Sequence, residues 1–209
     1  MLYLDTITTN MHKVAAKLYV LLDDTYYLAG GTALSLQIGH RESVDLDYFT
    51  ISNIDTNKLF NNIKNAFDDV SVDKTYEEID TLWLLIDGVK VSFIKVENPL
   101  IEEMAIEDVF KLASIKDILM MKLSAICGRS EYKDYYDLVF ISKIIDARSW
   151  VSIWRKAYIH SDPLSFIVAL NDVNSTSDIK LNSKNLLSRQ EIVNGVYSIV
   201  KDINKFLNL

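Results

Sequence analysis

The chain has 209 residues, 49% of them apolar and 24% charged, with only 6 glycines and 2 prolines. This composition suits a globular protein of one large or two small domains and argues against long disordered linkers. The net charge of −7 disfavours general nucleic-acid binding while leaving room for a local basic patch, and the single Cys127 excludes an internal disulfide or a cysteine-rich zinc site.

Residues 11–22 have helical spacing, with Val14, Leu18, Leu21 and Leu22 on one stripe. Tyr26 to Ala29 is a short apolar run ending at Gly30-Gly31, and residues 32–38 favour helix. The spacing therefore predicts strand, glycine turn, helix. From Ser43 to Thr50 the chain alternates, with Val44, Leu46 and Tyr48 on one side and Asp45, Asp47 and Phe49 on the other. Residues 55–68 predict an amphipathic helix, and 70–76 and 81–86 predict strands. Asp87-Gly88 is a hairpin signal, with 89–96 as the returning strand. Residues 109–113 form a further short strand candidate.

The second half reads as helix. Ser114 to Asp117 resembles a capping box and opens a helix that Gly128 closes. Further helices are predicted over 133–145, 150–159 and 164–173. Ser188-Arg189-Gln190-Glu191 is a full capping box and opens the last helix, to about Phe206, while residues 174–187 read as a polar loop. The expected class is α+β, with a mixed sheet and helices over 1–110 and a helical domain over 111–209 that completes an active-site cleft.

Two features carry chemistry. Glycines without Cβ let backbone N–H groups approach a phosphate, and the following helix adds a positive dipole end. Thr32 offers a hydroxyl donor beside them. By itself a glycine pair is commonly no more than a turn. Asp45 and Asp47 project from one strand face, roughly 7 Å apart at about 3.3 Å per residue. Such a pair can share Mg²⁺ ions, which prefer carboxylate and phosphate oxygens. A solvated strand face is the plainer reading of Asp-x-Asp. The apolar flanks argue for a core strand, where two acids are costly unless they face a cleft or a metal.

The order Gly-Gly, helix, turn, Asp-x-Asp strand is similar to the polymerase-β-like nucleotidyltransferases. More closely, GGTALSLQIGHRESVDLDYFT (30–50) resembles the AbiEii/AbiGii toxin family, and SIKDILMMKLSAICGRSEYKDYYDL (114–138) resembles that family's second motif. The resemblance implies phosphate binding by Gly30, Gly31 and Thr32, with Arg41 and Ser43 at supporting positions. It implies metal binding by Asp45 and Asp47. It assigns Lys122 to triphosphate charge and brings one of Asp134 and Asp137 into the active site, with Lys133 and Arg129 as weaker candidates. It also implies two Mg²⁺ ions acting with bound NTP. Many members of the broader superfamily carry a third carboxylate on a later strand, where this chain has Ser92.

The implied function is transfer of a nucleoside monophosphate from an NTP to an acceptor hydroxyl, on RNA such as tRNA or on protein. The implied setting is the toxin of a bacterial toxin–antitoxin or phage-defence pair, with a cognate antitoxin protein as partner. Ser92 keeps open a catalytically weak or inactive nucleotide-binding module of the same fold. No apolar run approaches the roughly 20 residues needed to cross a bilayer, and residues 1–10 lack a secretion-signal pattern, so a cytoplasmic location is expected. Among the remaining features, His40 reads as a solvated turn residue, and Tyr132, Tyr135 and Tyr136 as split between core and surface. Trp150 and Trp154 read as helix packing, Met120-Met121 as core, and Cys127 as a buried helix residue.

Overall fold

The computed structural model describes residues 1–177, 181–183 and 186–207. The chain divides into two compact units, Met1–Ser114 and Ile115–Leu209.

The first unit is built on a seven-stranded mixed sheet in the order Val72–Glu78, Thr81–Ile86, Val89–Lys95, Asp45–Thr50, Tyr27–Leu28, Phe110–Leu112, Ala105–Glu107. Before the sheet comes α1 (Thr9–Leu21). It is capped by Thr8, whose side chain accepts from the Met11 amide at 3.1 Å, and it buries Met11, Val14, Ala15 and Leu18 along one stripe. β1 (Tyr27–Leu28) leads into α2 (Gly30–Ile38), so the glycine pair opens the helix instead of forming a separate turn before it. β2 (Asp45–Thr50) follows, then α3 (Thr56–Ala66), capped by Asp55 through the Lys58 amide.

β3 (Val72–Glu78), β4 (Thr81–Ile86) and β5 (Val89–Lys95) form an antiparallel meander. Ile86 pairs with Val89 across the two-residue Asp87-Gly88 turn, and both turn residues have positive φ, 48° and 76°. This is the primed turn geometry that matches strand twist, which is why Asp-Gly specifies it. β5 then pairs parallel with β2, and β1 pairs parallel with β7 (Phe110–Leu112). The sequence pattern shows no strand over β6 (Ala105–Glu107), which is exposed throughout and pairs only with β7.

One face of the sheet carries the core. Leu46, Tyr48, Leu82, Leu84, Ile86, Val91 and Phe93 are all buried, and α1 and α3 contact strands of the sheet. The alternation read from the sequence holds for β2, whose Leu46, Tyr48 and Thr50 are buried while Asp45, Asp47 and Phe49 are half-buried. Val44 departs from it. It precedes the strand and is exposed, so it contributes nothing to the core.

The second unit is helical: α4 (Ile115–Gly128), α5 (Tyr132–Ile141), α6 (Trp150–Ala157), α7 (Leu164–Leu170) and α8 (Arg189–Leu207). Trp150 and Trp154 are buried, with their indole N–H groups donating to the carbonyls of Ile145 and Ser161, each at 3.1 Å. α8 starts as its capping box requires. The Ser188 amide donates to Glu191 Oε2 at 2.7 Å, and the Glu191 amide donates to Ser188 Oγ at 3.3 Å. Gly195 lets α8 lie against α5, because a Cβ there would stand 2.9 Å from Val139 methyl carbons. Part of the expected loop is the 3-10 turn Asn171–Ser175, and residues 178–180 and 184–185 of it lie outside the described residues.

Three expectations about single residues are corrected. Tyr132, Tyr135 and Tyr136 are all buried instead of being split with the surface; Tyr135 satisfies its hydroxyl by donating to the Ala169 carbonyl at 2.8 Å. His40 is buried, not solvated, at the end of α2. Cys127 is exposed near the end of α4, not buried. Among the described residues, no helix is long and apolar enough to cross a membrane.

Candidate functional site in the first unit

The site grows out of the junction between β1, α2 and β2. The Ala29 amide donates to the Asp47 carbonyl at 3.0 Å, which carries the β1–β2 pairing one residue beyond the strand and sets the next residue beside the acids. That residue is Gly30, with φ +67°. A Cβ there would lie 3.2 Å from Asp47 Oδ2, so both the left-handed backbone and the close approach require glycine. Gly31 is needed for a different reason. Its missing Cβ leaves room for a guanidinium, since Arg41 Nη2 would stand 2.3 Å from it. Arg41 is buried against this turn and donates from Nη1 to the Glu42 carbonyl at 3.0 Å.

Thr32 and Ser43 turn their hydroxyls inward. Thr32 Oγ1 donates to the Asp45 carbonyl and lies 2.7 Å from Ser43 Oγ, and each hydroxyl lies 3.3 Å from Asp45 Oδ1. Both residues are buried, so they orient Asp45 from behind. Asp47 is oriented from the next strand. Ser92 sits opposite it in the β2–β5 ladder and donates to Asp47 Oδ1 at 2.5 Å. The first N–H groups of α2, on Gly30, Gly31 and Thr32, point away from the helix without an acceptor one turn back.

The two carboxylates thus share a half-buried face, each steadied by hydroxyl groups, beside a helix start and an arginine. This donor set suits a hard divalent cation, and the Gly30 cleft beside Asp47 is space that any other residue would fill. Among the described residues, no cluster of three or more His, Cys, Asp or Glu side chains forms a complete metal cage. A cation held by Asp45 and Asp47 would therefore take its remaining ligands from phosphate oxygens and water, as Mg²⁺ commonly does.

Sequence reasoning missed one residue of this face. Lys90 pairs with Asp45 in the β2–β5 register and is exposed, and its side chain makes no hydrogen bond or ion pair among the described residues. The signal was available, because strand alternation from Ser92 places Lys90 on the same side.

Lys122, Asp134 and Asp137 form a cluster of their own within the helical unit. Lys122 Nζ on α4 lies 2.7 Å from Asp134 Oδ1 and 2.7 Å from Asp137 Oδ2 on α5, and both acids are fully buried. The i, i+3 spacing puts both carboxylates on one face of α5, where one ammonium serves two anions. Arg129 Nε adds a contact at 3.5 Å to Asp134 Oδ2, and Lys133 pairs with Glu131 at 3.1 Å.

Residues 17–83 match the family model described as nucleotidyl transferase AbiEii toxin, type IV toxin–antitoxin system. This span contains the whole glycine-turn and Asp-x-Asp unit. An uncharacterized protein of Aquifex aeolicus is 41% identical over 124 residues, which cover 56% of this chain and 58% of that protein. The chain therefore matches somewhat over half the length of this curated relative. Two solved structures share the fold. JHP933 of Helicobacter pylori is 20% identical with a TM-score of 0.59, covering 100% of this chain and 95% of that one. MenT4, a nucleotidyltransferase toxin of Mycobacterium tuberculosis, is 16% identical with a TM-score of 0.58, covering 91% and 82%. The α+β class expected from the sequence is the class of this shared fold.

Proposed function

We propose that this chain, which carries the AbiEii nucleotidyltransferase signature in residues 17–83, is the toxin of a bacterial toxin–antitoxin pair and transfers a nucleoside monophosphate from an NTP to an acceptor hydroxyl. The observation that carries the reading is the joint placement of Gly30 and Asp47. The first residue of α2 stands within contact distance of the Asp47 carboxylate, so in this reading phosphate and metal would meet there.

In this reading the α2 amides of Gly30, Gly31 and Thr32 bind phosphate oxygens, and Arg41 neutralises charge beside them. Asp45 and Asp47 hold Mg²⁺, two ions with bound NTP, which supplies Lewis acidity at the reacting phosphate and its leaving group. Thr32 and Ser43 fix Asp45, and Ser92 fixes Asp47. The acceptor oxygen forms its bond to the α-phosphorus as the bond to the β-phosphate bridging oxygen breaks, and pyrophosphate leaves. With serine at position 92, Asp47 takes the acceptor proton; the resemblance of residues 114–138 would give that role to Asp134 or Asp137, both of which are buried against Lys122. The resemblance of residues 114–138 supports Lys122 as a further cation for the triphosphate. The acceptor is RNA or protein in the cytoplasm, and a cognate antitoxin protein restrains the activity.

The test is incubation with Mg²⁺, each labelled NTP in turn, and total cell RNA or protein. Label should transfer with the wild type and not with the Asp45→Ala, Asp47→Ala double variant. Transfer that persists undiminished in the double variant would remove the catalytic assignment. The Ser92–Asp47 pairing favours one second reading, a nucleotide-binding module without turnover. Calorimetric binding of Mg²⁺-NTP with no label transfer to any acceptor would support that module.

A further inference from the structure

The acid-bearing face of the sheet extends well past the acids. Following the register sideways from Asp47, the next positions are Ser92 on β5, Trp83 on β4 and Tyr76 on β3. One row therefore runs from a metal-binding carboxylate to two aromatic rings. At about 4.8 Å per strand, Trp83 stands about 10 Å from Asp47 and Tyr76 about 14 Å. The neighbouring row on the same face begins at Asp45, which pairs with the exposed Lys90.

Trp83 and Tyr76 differ from the other aromatics of this unit's sheet. They are 46% and 38% exposed, whereas Tyr27, Tyr48 and Phe93 are buried. Their ring centroids are 4.8 Å apart, tilted by 42°. A cross-strand aromatic pair steadies a hairpin wherever it stands. Its position on the acid-bearing face, and not the α1/α3 face, leaves two flat apolar surfaces in water beside a candidate reaction centre.

The direction of attack says which ligand they meet. The glycine turn and α2 follow β1, on one side of β2, whereas β5, β4 and β3 extend on the other. If the leaving pyrophosphate sits on the glycine side, an in-line displacement brings the acceptor oxygen from the β5 side. The aromatic pair lies on that incoming side, and so does Lys90, with its charge uncommitted. The geometry points to Trp83 and Tyr76 as a stacking platform for an unpaired base of an acceptor nucleic acid, with Lys90 taking an adjacent phosphate. This deepens the nucleotidyltransferase reading and rests on it. A platform of this kind suits an acidic protein, because stacking on an aromatic face needs no broad basic surface. A few nucleotides at a single-stranded end meet two rings and one lysine.

The experiment uses the full chain and a fluorescein-labelled single-stranded oligo(A) RNA at low salt, read by anisotropy. Trp83→Ala should weaken RNA binding by roughly tenfold, the scale of one lost base stack. Trp83→Phe should restore most of it, since the ring is kept. Lys90→Gln should weaken binding more mildly and reduce its salt dependence by about one charge. Mg²⁺-NTP affinity, measured by calorimetry on the same variants, should not change with Trp83→Ala. Loss of NTP affinity in Trp83→Ala with RNA binding intact would make the platform a seat for the incoming base and overturn the proposal. RNA binding that is absent in the wild type, or equal in wild type and Trp83→Ala, overturns it as well, and label transfer confined to protein acceptors would accompany that result. A wild type that binds RNA through Trp83 but never binds Mg²⁺-NTP leaves the platform standing and removes the nucleotidyltransferase reading instead, so the two failures separate.

Discussion

Ser92 Oγ on β5 donates a 2.5 Å hydrogen bond to Asp47 Oδ1, from the position directly across the parallel β2–β5 ladder. The resemblance to the polymerase-β-like nucleotidyltransferases would put a third carboxylate at this position. The hydroxyl steadies Asp47 without adding charge, which leaves Asp45 and Asp47 as the two anions of this pair.

Ser92→Asp tests that geometry directly. Without metal, an added carboxylate opposite Asp47 is a like-charge cross-strand pair and should destabilise the fold by up to about 1 kcal/mol. With Mg²⁺ the same three acids would share a cation. The melting temperature of the variant should therefore start below wild type and rise more on adding Mg²⁺. An equal Mg²⁺ response in the two proteins would show that position 92 does not face the cation.

Gly31→Ala should separate binding from stability. The φ of Gly31 is ordinary, and alanine favours a helix by about 1 kcal/mol over glycine, so the backbone accepts the change. The new methyl would sit 2.3 Å from Arg41 Nη2 and must displace the guanidinium. Mg²⁺-NTP affinity should fall by about tenfold, the worth of a charge-assisted hydrogen bond, while the unfolding midpoint moves little. Gly30→Ala should do the reverse in emphasis, since its φ of +67° strains any side chain and the fold itself weakens. Urea unfolding and calorimetry on both variants check the contrast.

The parts of this molecule legible in the sequence are those governed by local rules. Asp87-Gly88 specifies its hairpin because both residues tolerate positive φ, and Ser188 with Glu191 starts α8 because each satisfies the other's amide. Asp45 and Asp47 share a face because strand side chains alternate. What stayed hidden depends on partners distant in sequence. β6 is a strand only because β7 pairs with it. His40 and the three tyrosines of residues 132–136 are buried by packing that their immediate neighbours do not announce. The inward turn of Thr32 and Ser43 toward Asp45 is of the same kind. Both hydroxyls could have faced a phosphate on sequence grounds, and tertiary geometry sends them behind the carboxylate instead.

Lys122 should prove essential to the helical unit whatever it does for catalysis. Its ammonium is the shared partner of Asp134 and Asp137, both without exposure to water. Lys122→Met removes the cation and leaves two buried carboxylates, a change that costs about 3–5 kcal/mol for a broken buried pair. Adding Asp134→Asn and Asp137→Asn removes the stranded charges and should recover much of that loss. Chemical denaturation of the single and triple variants measures both steps. A single variant as stable as wild type would mean that the cluster tolerates bare anions and that the packing account is wrong.

Alkaline pH should expose the buried phenols of the first unit. Burial pushes the Tyr26 phenol up to about 12, with Asp23 and Asp80 adding to the shift, and burial alone raises Tyr48 further. In the unfolded chain a tyrosine ionises near pH 10. Below that value both states keep the proton and the stabilisation is fully present. Between about pH 10 and 12 the unfolded chain has lost the proton that folded Tyr26 still holds, so unfolding is favoured and stability falls as pH rises. Tyr26→Phe cannot ionise and keeps a ring against Phe93, whose centroid lies 6.0 Å away. Its urea midpoint should therefore decline less steeply than wild type from pH 9 to 11. Tyr48→Phe should flatten the curve in the same way. Lysine titration contributes equally to wild type and variant, so the difference between their slopes isolates the phenol. Parallel slopes for wild type and Tyr26→Phe would mean that Tyr26 reaches water in the folded state.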